Sequence, residues 1–199
     1  TALCAKFLNN ADATVLLNNF QLSNQHNQHR SQALYHLGDH HLSNGNIRKA
    51  LDNFETANED ALPSDERRHL IFKKGYCQFM QGNHTLAVAQ FDKIRGNEGE
   101  YANAISYYRA HVDYENGNLD DALKAFATLE KEEGFSQASS YYIAHILYLK
   151  GNYADALRYA RPLSEQKGNK TAEMLRIVAD CHFMTAEYSA AISVYNKLQ

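Results

Sequence analysis

Ten histidines make metal binding the first chemistry to consider in this chain. His36 and His40 are four residues apart, with Asp39 and His41 beside them. Residues four apart share one face of a helix, so two imidazoles could bind one ion. However, His36 and Asp39 should point apart, no third ligand is suggested, and no HExxH motif is present. The histidines are therefore interpreted as structural or surface residues, and the sequence predicts no metal site and no cofactor.

Nucleophilic catalysis is the second chemistry, and the cysteines are its candidates. Cys4, Cys77 and Cys181 form neither a CxxC pair nor an even disulfide set. Cys181 precedes His182, but adjacent helical residues point apart and make no dyad. The chain also has no phosphate-binding glycine loop and no GxSxG motif. It is therefore predicted not to be an enzyme.

Composition favours a helical protein with an almost balanced charge. The 199 residues include 20 Lys and Arg against 23 Asp and Glu, a net charge of −3. This balance argues against nucleic acid as a partner, because such affinity rests mainly on neutralised phosphates. Two prolines, no tryptophan and 44% apolar residues are typical of a packed, helix-rich chain. No apolar run approaches the roughly 18–20 residues of a membrane span.

Gly-Asn turns divide the sequence at regular intervals. They lie at Gly45, Gly82, Gly117 and Gly151, and Ala186 takes the equivalent place near the end. Successive corners are 34–37 residues apart. Glycine adopts left-handed backbone angles at a helix C-terminus and asparagine can cap the next helix, so each corner predicts a helix–turn–helix unit.

The residues around each corner keep one pattern. A small residue stands seven positions before it, at Gly38, Gly75, Ala110, Ala144 and Ala179. An alanine follows five positions after it, at Ala50, Ala87, Ala122, Ala156 and Ala191. Four residues beyond the alanine come Phe54, Phe91, Phe126, Ala160 and Tyr195. Offsets of three and four place these side chains on one helical face, where small residues allow two helices to approach closely.

This pattern resembles the tetratricopeptide repeat, a helical hairpin of 34 residues. The best single match is ALYHLGDHHLSNGNIRKALDNFETA, residues 33–57. The resemblance implies an all-α fold, a right-handed α–α superhelix of about five hairpins preceded by a partial repeat. Two departures are expected: Pro162 should end or kink its helix, and residues 21–30 should form a long inter-repeat loop.

The repeat phase predicts a single solenoid over residues 1–199. It consists of a partial repeat, 1–30, and repeats 31–64, 68–101, 103–136, 137–170 and 172–199. Solenoids need terminal caps with a polar outer face, and neither end carries one. The chain is therefore expected to be a fragment of a longer repeat protein, and its uncapped C-terminal repeat is a candidate for self-association.

In this family the first helix of each hairpin lines a concave groove, so the resemblance implies a set of partner-binding positions. They are Tyr35, Asp39, Phe72, Tyr76, Tyr107, His111, Tyr114, Tyr141, His145, Tyr148, Arg176 and Asp180. Aromatic rings with polar tips bury much area at low entropic cost, which favours recognition. The competing interpretation is packing between repeats. It is favoured for Phe72, Phe79 and Phe183 and stays open for the tyrosines and histidines.

The predicted function is a non-catalytic scaffold that binds a protein or peptide in this aromatic-rich groove. The alternative is a targeting module of a larger enzyme whose catalytic domain lies outside this chain. RNA binding by a pentatricopeptide-like array fits the charge and the second-helix pattern less well. The sequence also resembles the N-terminal arrays of large Bacteroidetes cell-envelope proteins and, more loosely, an outer-membrane assembly lipoprotein. That resemblance implies a periplasmic or outer-membrane-associated location; without it, the cytoplasm is expected.

Overall fold

The computed structural model describes residues 13–23, 29–94 and 99–198, and every regular element in these ranges is helical. The α-helices are α1 (Ala13–Ser23), α2 (Arg30–Ser43), α3 (Ile47–Thr56), α4 (Ser64–Met80), α5 (His84–Phe91), α6 (Ala102–Glu115), α7 (Leu119–Leu129), α8 (Ser136–Leu149), α9 (Tyr153–Ser164), α10 (Thr171–Met184) and α11 (Tyr188–Tyr195). Short 3-10 turns follow α3 and α11, at Glu59–Ala61 and Asn196–Leu198. None of the described helices combines the length and apolar character that crossing a bilayer requires.

The chain forms two compact units, an N-terminal unit (Thr1–Glu98) and a C-terminal unit (Gly99–Gln199). In the N-terminal unit, helices α1 to α5 each pack against the next helix in the sequence. In the C-terminal unit, α6 to α11 do the same. The expected all-helical hairpin repeat is thus confirmed, whereas the repeat boundaries and the single solenoid stay predictions. The part of the partial repeat before Ala13 lies outside the described residues.

Each predicted corner is a tight turn between two helices. The glycines have positive φ, +73° at Gly45, +77° at Gly82, +80° at Gly117 and +76° at Gly151. After the first corner, the Asn46 N–H donates to the His41 carbonyl over 2.8 Å, the long closing bond of a Schellman-type helix end. Ala186 adopts the same turn with φ +62°, and Glu187 N–H donates to the His182 carbonyl over 2.8 Å.

The corner asparagines do not cap the following helices with their side chains, contrary to the sequence-based expectation. Two of them bond backwards instead. Asn83 Nδ2 donates to Gln78 Oε1 over 3.0 Å, and Asn118 Nδ2 donates to Asp113 Oδ1 over 3.3 Å. These amides therefore tie the corner to the helix that ends there.

Two hairpins of the N-terminal unit are held by glycine–phenylalanine contacts. The Phe54 ring lies where a side chain on Gly38 would be, and a Cβ at Gly75 would lie 2.6 Å from Phe91 Cε1. Both rings are fully buried. The small residues on the first helix are thus required by the large residues on the second.

Two local predictions need correction. Pro162 lies inside α9, which continues to Ser164, so the helix does not end at the proline. It falls in the last turn at an exposed position, where the carbonyl that loses its N–H partner can bind water. The bounds of the predicted loop at residues 21–30 were too wide, since α1 extends to Ser23 and α2 begins at Arg30, and residues 24–28 lie outside the described residues.

Candidate functional site

The predicted groove residues of the N-terminal unit are used mainly for packing. Tyr35 is only 5% exposed, and its ring centroid lies 6.4 Å from that of Phe54. The ammonium of Lys73 lies 5.2 Å from the centre of the Tyr35 ring and is paired with the Asp39 carboxylate. A partner could therefore reach little of Tyr35, in contrast to what its groove position suggested.

The second repeat of this unit is built in the same way. Phe72 lies 5.9 Å from Phe91, ring to ring, as expected for packing. Tyr76 is half-buried against the cluster that contains Phe54 and Leu70. Both rings therefore take part in packing between helices.

The predicted residues of the C-terminal unit lie on three first helices that adjoin one another. We call this set the aromatic face: Tyr107, His111 and Tyr114 on α6, Tyr141, His145 and Tyr148 on α8, and Arg176 and Asp180 on α10. The rings of Tyr114 and His145 are 6.4 Å apart and join α6 to α8. Hydrogen bonds from α8 to α10 continue the face. All members except Arg176, which is exposed, are half-buried.

Tyr142 forms the floor of the aromatic face, and the sequence analysis did not single it out. Its ring stacks on Phe126 at 4.8 Å and meets Tyr114 edge-on at 5.3 Å. Tyr107 and His111 also contact it, with ring centroids 6.2 and 5.1 Å away. Burial raises the pKa of Tyr142 far above its usual range. Adjacent helical residues point apart, so the neighbouring Tyr141 gave no signal of these contacts.

Glu173 organises the middle of the face and was also missed. Its Oε2 accepts a hydrogen bond from the Tyr141 hydroxyl over 2.5 Å, and its Oε1 lies 3.1 Å from His145 Nε2. Burial and the hydrogen bond to this carboxylate raise the pKa of Tyr141. Burial lowers the pKa of His145, an effect that Glu173 partly offsets. Its place one turn before Arg176, a predicted site residue, was the available signal.

Asp180 plays the same part at the other end of α10. It accepts hydrogen bonds from the hydroxyls of Tyr148, over 3.1 Å, and Tyr195. Burial and the bond to Asp180 raise the pKa of Tyr148. The carboxylates of Glu173 and Asp180, two turns apart on α10, therefore fix the orientation of Tyr141 and Tyr148 on α8.

Lys170 brings a cation to the edge of this face. Its Nζ lies 3.5 Å from the centre of the Tyr141 ring and 5.4 Å from that of Tyr142. Burial lowers the pKa of Lys170, and Glu173 opposes that shift. Beside it is a cavity of about 270 Å³ that Gln137, Gln166 and Lys170 help to line.

The other candidate chemistry is not assembled. In the described ranges, no three His, Cys, Asp or Glu side chains are placed to hold a metal ion. His36 is buried, 3.8 Å from Glu66, whereas His40 is exposed. Cys77 and Cys181 are buried thiols, and burial raises the pKa of Cys77 to about 12 and that of Cys181 to about 11. Such thiols are poor nucleophiles.

Comparison with known proteins gives one family and a set of similar folds. Residues 35–102, 107–166 and 150–199 match the sequence model of the tetratricopeptide repeat. A search of curated proteins found no significant match. Repeats from a candidate kinesin light chain of Podospora anserina are similar in structure, with a TM-score of 0.57 and 14% identity over 87% of this chain and 95% of that chain.

Two further similar structures come from Bacteroidetes. The C-terminal part of a repeat protein from Cytophaga hutchinsonii has a TM-score of 0.62 and 16% identity, covering 82% of this chain and 63% of that chain. A repeat protein from Parabacteroides merdae has a TM-score of 0.54 and 17% identity, covering 94% of this chain and 70% of that chain. The expected likeness to Bacteroidetes repeat proteins is partly supported, and at these identities it concerns the fold alone.

Proposed function

Because the chain belongs to the tetratricopeptide repeat family, we propose that it holds a protein or peptide segment against the aromatic face of its C-terminal unit. Repeats of this family generally serve as non-catalytic modules for protein–protein interaction. The aromatic face as the contact surface, and a peptide as its ligand, are the specific parts of this proposal.

The observation that carries the proposal is the anchoring of half-buried tyrosines by carboxylates. Glu173 holds the Tyr141 hydroxyl, and Asp180 holds the hydroxyls of Tyr148 and Tyr195. A ring fixed in advance loses little conformational entropy when a partner covers it. Tyrosine also offers an apolar surface and a polar tip together, as residues central to binding interfaces often do.

The spacing of the face suits a segment that crosses several first helices. Tyr107 and Tyr114 on α6 are followed by Tyr141 and Tyr148 on α8, so similar contacts recur once per repeat. A peptide laid across them would meet the tyrosines of α6 and α8 and would leave its own polar groups near the hydroxyls and carboxylates. An extended or helical peptide in a groove is an established mode of recognition.

The test is a selection of peptides from a displayed random library on the full chain, followed by calorimetric titration of the peptides recovered. We expect Tyr148→Ala and Tyr141→Ala each to weaken binding about tenfold or more, as for residues at the centre of an interface. Tyr159→Ala is the matched control, because Tyr159 lies on the second helix α9 and its hydroxyl also donates to a carboxylate, that of Glu130.

Melting temperatures of the three variants separate lost binding from lost folding. Peptides whose affinity is unchanged in both face variants, or lost equally in Tyr159→Ala, would overturn the proposal. The alternative of a targeting module within a larger enzyme stays a prediction, as does the location in the cell envelope.

A second candidate function is self-association through the last hairpin. Ile192 is 60% exposed on α11, with Tyr188 and Phe183 also exposed nearby. Leu157 occupies the matching position on α9 and packs against the main core of its unit. The exposed face of α11 would be covered in the same way by a second copy. Sedimentation of the full chain should show a concentration-dependent dimer that Ile192→Glu dissociates, and a monomer at all concentrations would contradict this.

A further inference from the structure

We propose that Tyr141, Tyr142 and Glu173 form a site for an alkylammonium group, which Lys170 fills from within the chain and which a lysine of the bound partner takes over. We call these three residues the ammonium site. The choice of a lysine-bearing partner rests on the proposed function, whereas the ammonium site itself does not.

The position of Lys170 shows what the site accepts. Its Nζ lies 3.5 Å from the Tyr141 ring centre and 5.4 Å from that of Tyr142, both within the roughly 6 Å range of cation–π attraction. Two rings meet the same cation at one place, and aromatic surroundings of this kind are the usual receptors of organic ammonium groups.

Glu173 supplies the charge that rings alone do not. Its carboxylate accepts the Tyr141 hydroxyl proton in a 2.5 Å hydrogen bond, and it is close enough to act on the charge of Lys170. A phenol that donates to a carboxylate becomes richer in electrons, so the face of its ring attracts a cation more strongly. Ring and carboxylate therefore favour the same ligand, a positively charged one.

The side chain of Lys170 is placed so that it can move out of the ammonium site. Lys170 is the residue before the first turn of α10, and it is exposed, as are residues 165–169 ahead of it. Burial against the two rings lowers the pKa of Lys170, and Glu173 opposes that shift. The adjacent cavity of about 270 Å³, lined also by Gln137 and Thr171, leaves room for a second side chain to approach the Tyr141 ring.

The direct test vacates the site in the full chain by Lys170→Ala and titrates it with N-acetyl-lysine N-methylamide, followed by NMR shifts of the tyrosine rings and backbone amides. A chain whose site is filled internally about half of the time binds about twofold more weakly, so the variant should bind the probe about twofold more tightly. N-acetyl-norleucine N-methylamide, which lacks the charge, should gain nothing. Lys167→Ala is the matched control in the same loop and should behave as the natural chain.

A second variant keeps the test independent of folding. Glu173→Gln added to Lys170→Ala preserves the shape of the side chain and should abolish this gain in affinity, with the melting temperature as a check. The ammonium site is overturned if Lys170→Ala binds the lysine probe no better than the natural chain. It is also overturned if N-acetyl-glutamate N-methylamide binds the natural chain and loses affinity in Lys170→Ala, because Lys170 would then be an anion ligand.

The two proposals can fail separately. If Lys170→Ala gains affinity for the lysine probe and the peptide library yields nothing that depends on Tyr148, the ammonium site stands and the scaffold proposal falls. If peptides depend on Tyr148 and the lysine probe shows no gain, the ammonium site falls and the scaffold proposal stands. Selected peptides that lose affinity when their lysines are replaced by norleucine would show that the bound partner uses the ammonium site.

Discussion

Tyr35 in the N-terminal unit and Tyr141 in the C-terminal unit occupy the same position of the repeat and have a lysine ammonium near their rings, yet they do different work. Tyr35 is buried, and its cation comes from Lys73 in the middle of α4, where Asp39 also holds it. Tyr141 is half-buried, and its cation comes from Lys170 beside an exposed loop. The cation near Tyr35 is part of the packed structure, whereas the cation near Tyr141 can be replaced by another.

The residue beneath each ring differs between the two repeats. Tyr35 lies against Phe54, Phe72 against Phe91 and Tyr107 against Phe126, with ring centroids 5.9–6.4 Å apart. In the fourth repeat the corresponding residue is Ala160, which offers no ring. Tyr141 therefore turns to Glu173, His145 and Lys170 for its contacts. The fourth repeat therefore lacks the aromatic packing partner that the first three repeats have at this position.

The largest expected effect comes from removing the ring of Phe126, which holds in the third repeat the position that Ala160 holds in the fourth. Phe126→Ala should lower the free energy of unfolding by about 3–5 kcal/mol, because Phe126 is fully buried under both Tyr107 and Tyr142. Chemical denaturation measures the loss. Ala160→Gly, at the equivalent position, should cost only about 1 kcal/mol. Similar losses at the two positions would contradict the account of the fourth repeat.

A smaller effect is expected from filling the glycine contact of the N-terminal unit. In Gly75→Ala the new Cβ would meet Phe91 Cε1 at 2.6 Å. Overpacking of this kind costs about 1–3 kcal/mol, more than the roughly 0.5–1 kcal/mol that alanine gains in a helix. Ala144→Gly is the matched reverse change and should lose helix stability without relieving a clash. A Gly75→Ala protein that melts higher than the natural one would show that the ring can move aside.

The two lysines should differ in their contribution to stability. Lys73→Ala should cost about 1 kcal/mol, because it leaves the Asp39 carboxylate without this partly buried cation and removes the contact with Tyr35. Lys170→Ala should change the unfolding free energy by less than about 0.5 kcal/mol, since Lys170 is exposed beside a loop. Equal costs in paired denaturation curves would remove the distinction between a structural cation and an exchangeable one.

The pH dependence of stability should report on His145. Burial lowers its pKa in the folded protein, and Lys170 and Arg176 lower that pKa further, against the opposing effect of Glu173. The unfolded chain therefore takes up a proton near pH 6.5 that the folded chain resists, and stability is complete above that pH and falls as the pH drops below it. Denaturation at pH 7.5 and 5.5 should show a smaller difference in His145→Gln. An unchanged difference would place the titration elsewhere, for example at His41, whose pKa is also lowered by burial.

Repetition made the fold predictable, because five copies in phase fix the helices, the corners and the buried alanines. The site was only partly predictable. Each repeat determines which residue stands on the first helix, and the list of face residues on α6, α8 and α10 followed from that. The partners of those residues come from the next repeat, as Glu173 does for Tyr141, and a pattern within one repeat contains no information about them.

Burial was the other property that the repeat pattern did not determine. Tyr35 and Tyr141 are the same residue at the same position and differ in exposure, and Tyr107 is half-buried like Tyr141 although Phe126 lies against it. Departures from the pattern were informative in one case and misleading in another. Ala160 marks the repeat in which Tyr141 has no second-helix ring against it, whereas Pro162 is accommodated in the last turn of α9.

Ala186 stands where the other four corners have glycine, and replacing it should change the free energy of unfolding only slightly. It adopts φ +62° where the four Gly-Asn corners use glycine at +73° to +80°. A left-handed conformation costs a residue with a Cβ about 1 kcal/mol, a cost that glycine avoids. Ala186→Gly should therefore raise the free energy of unfolding, by up to about 1 kcal/mol less the entropy that glycine adds to the unfolded chain. Gly151→Ala is the reciprocal change and should lower stability by a similar amount, again measured by denaturation. If both changes destabilise, the last corner tolerates its alanine without strain, and the requirement for glycine belongs to the earlier corners alone.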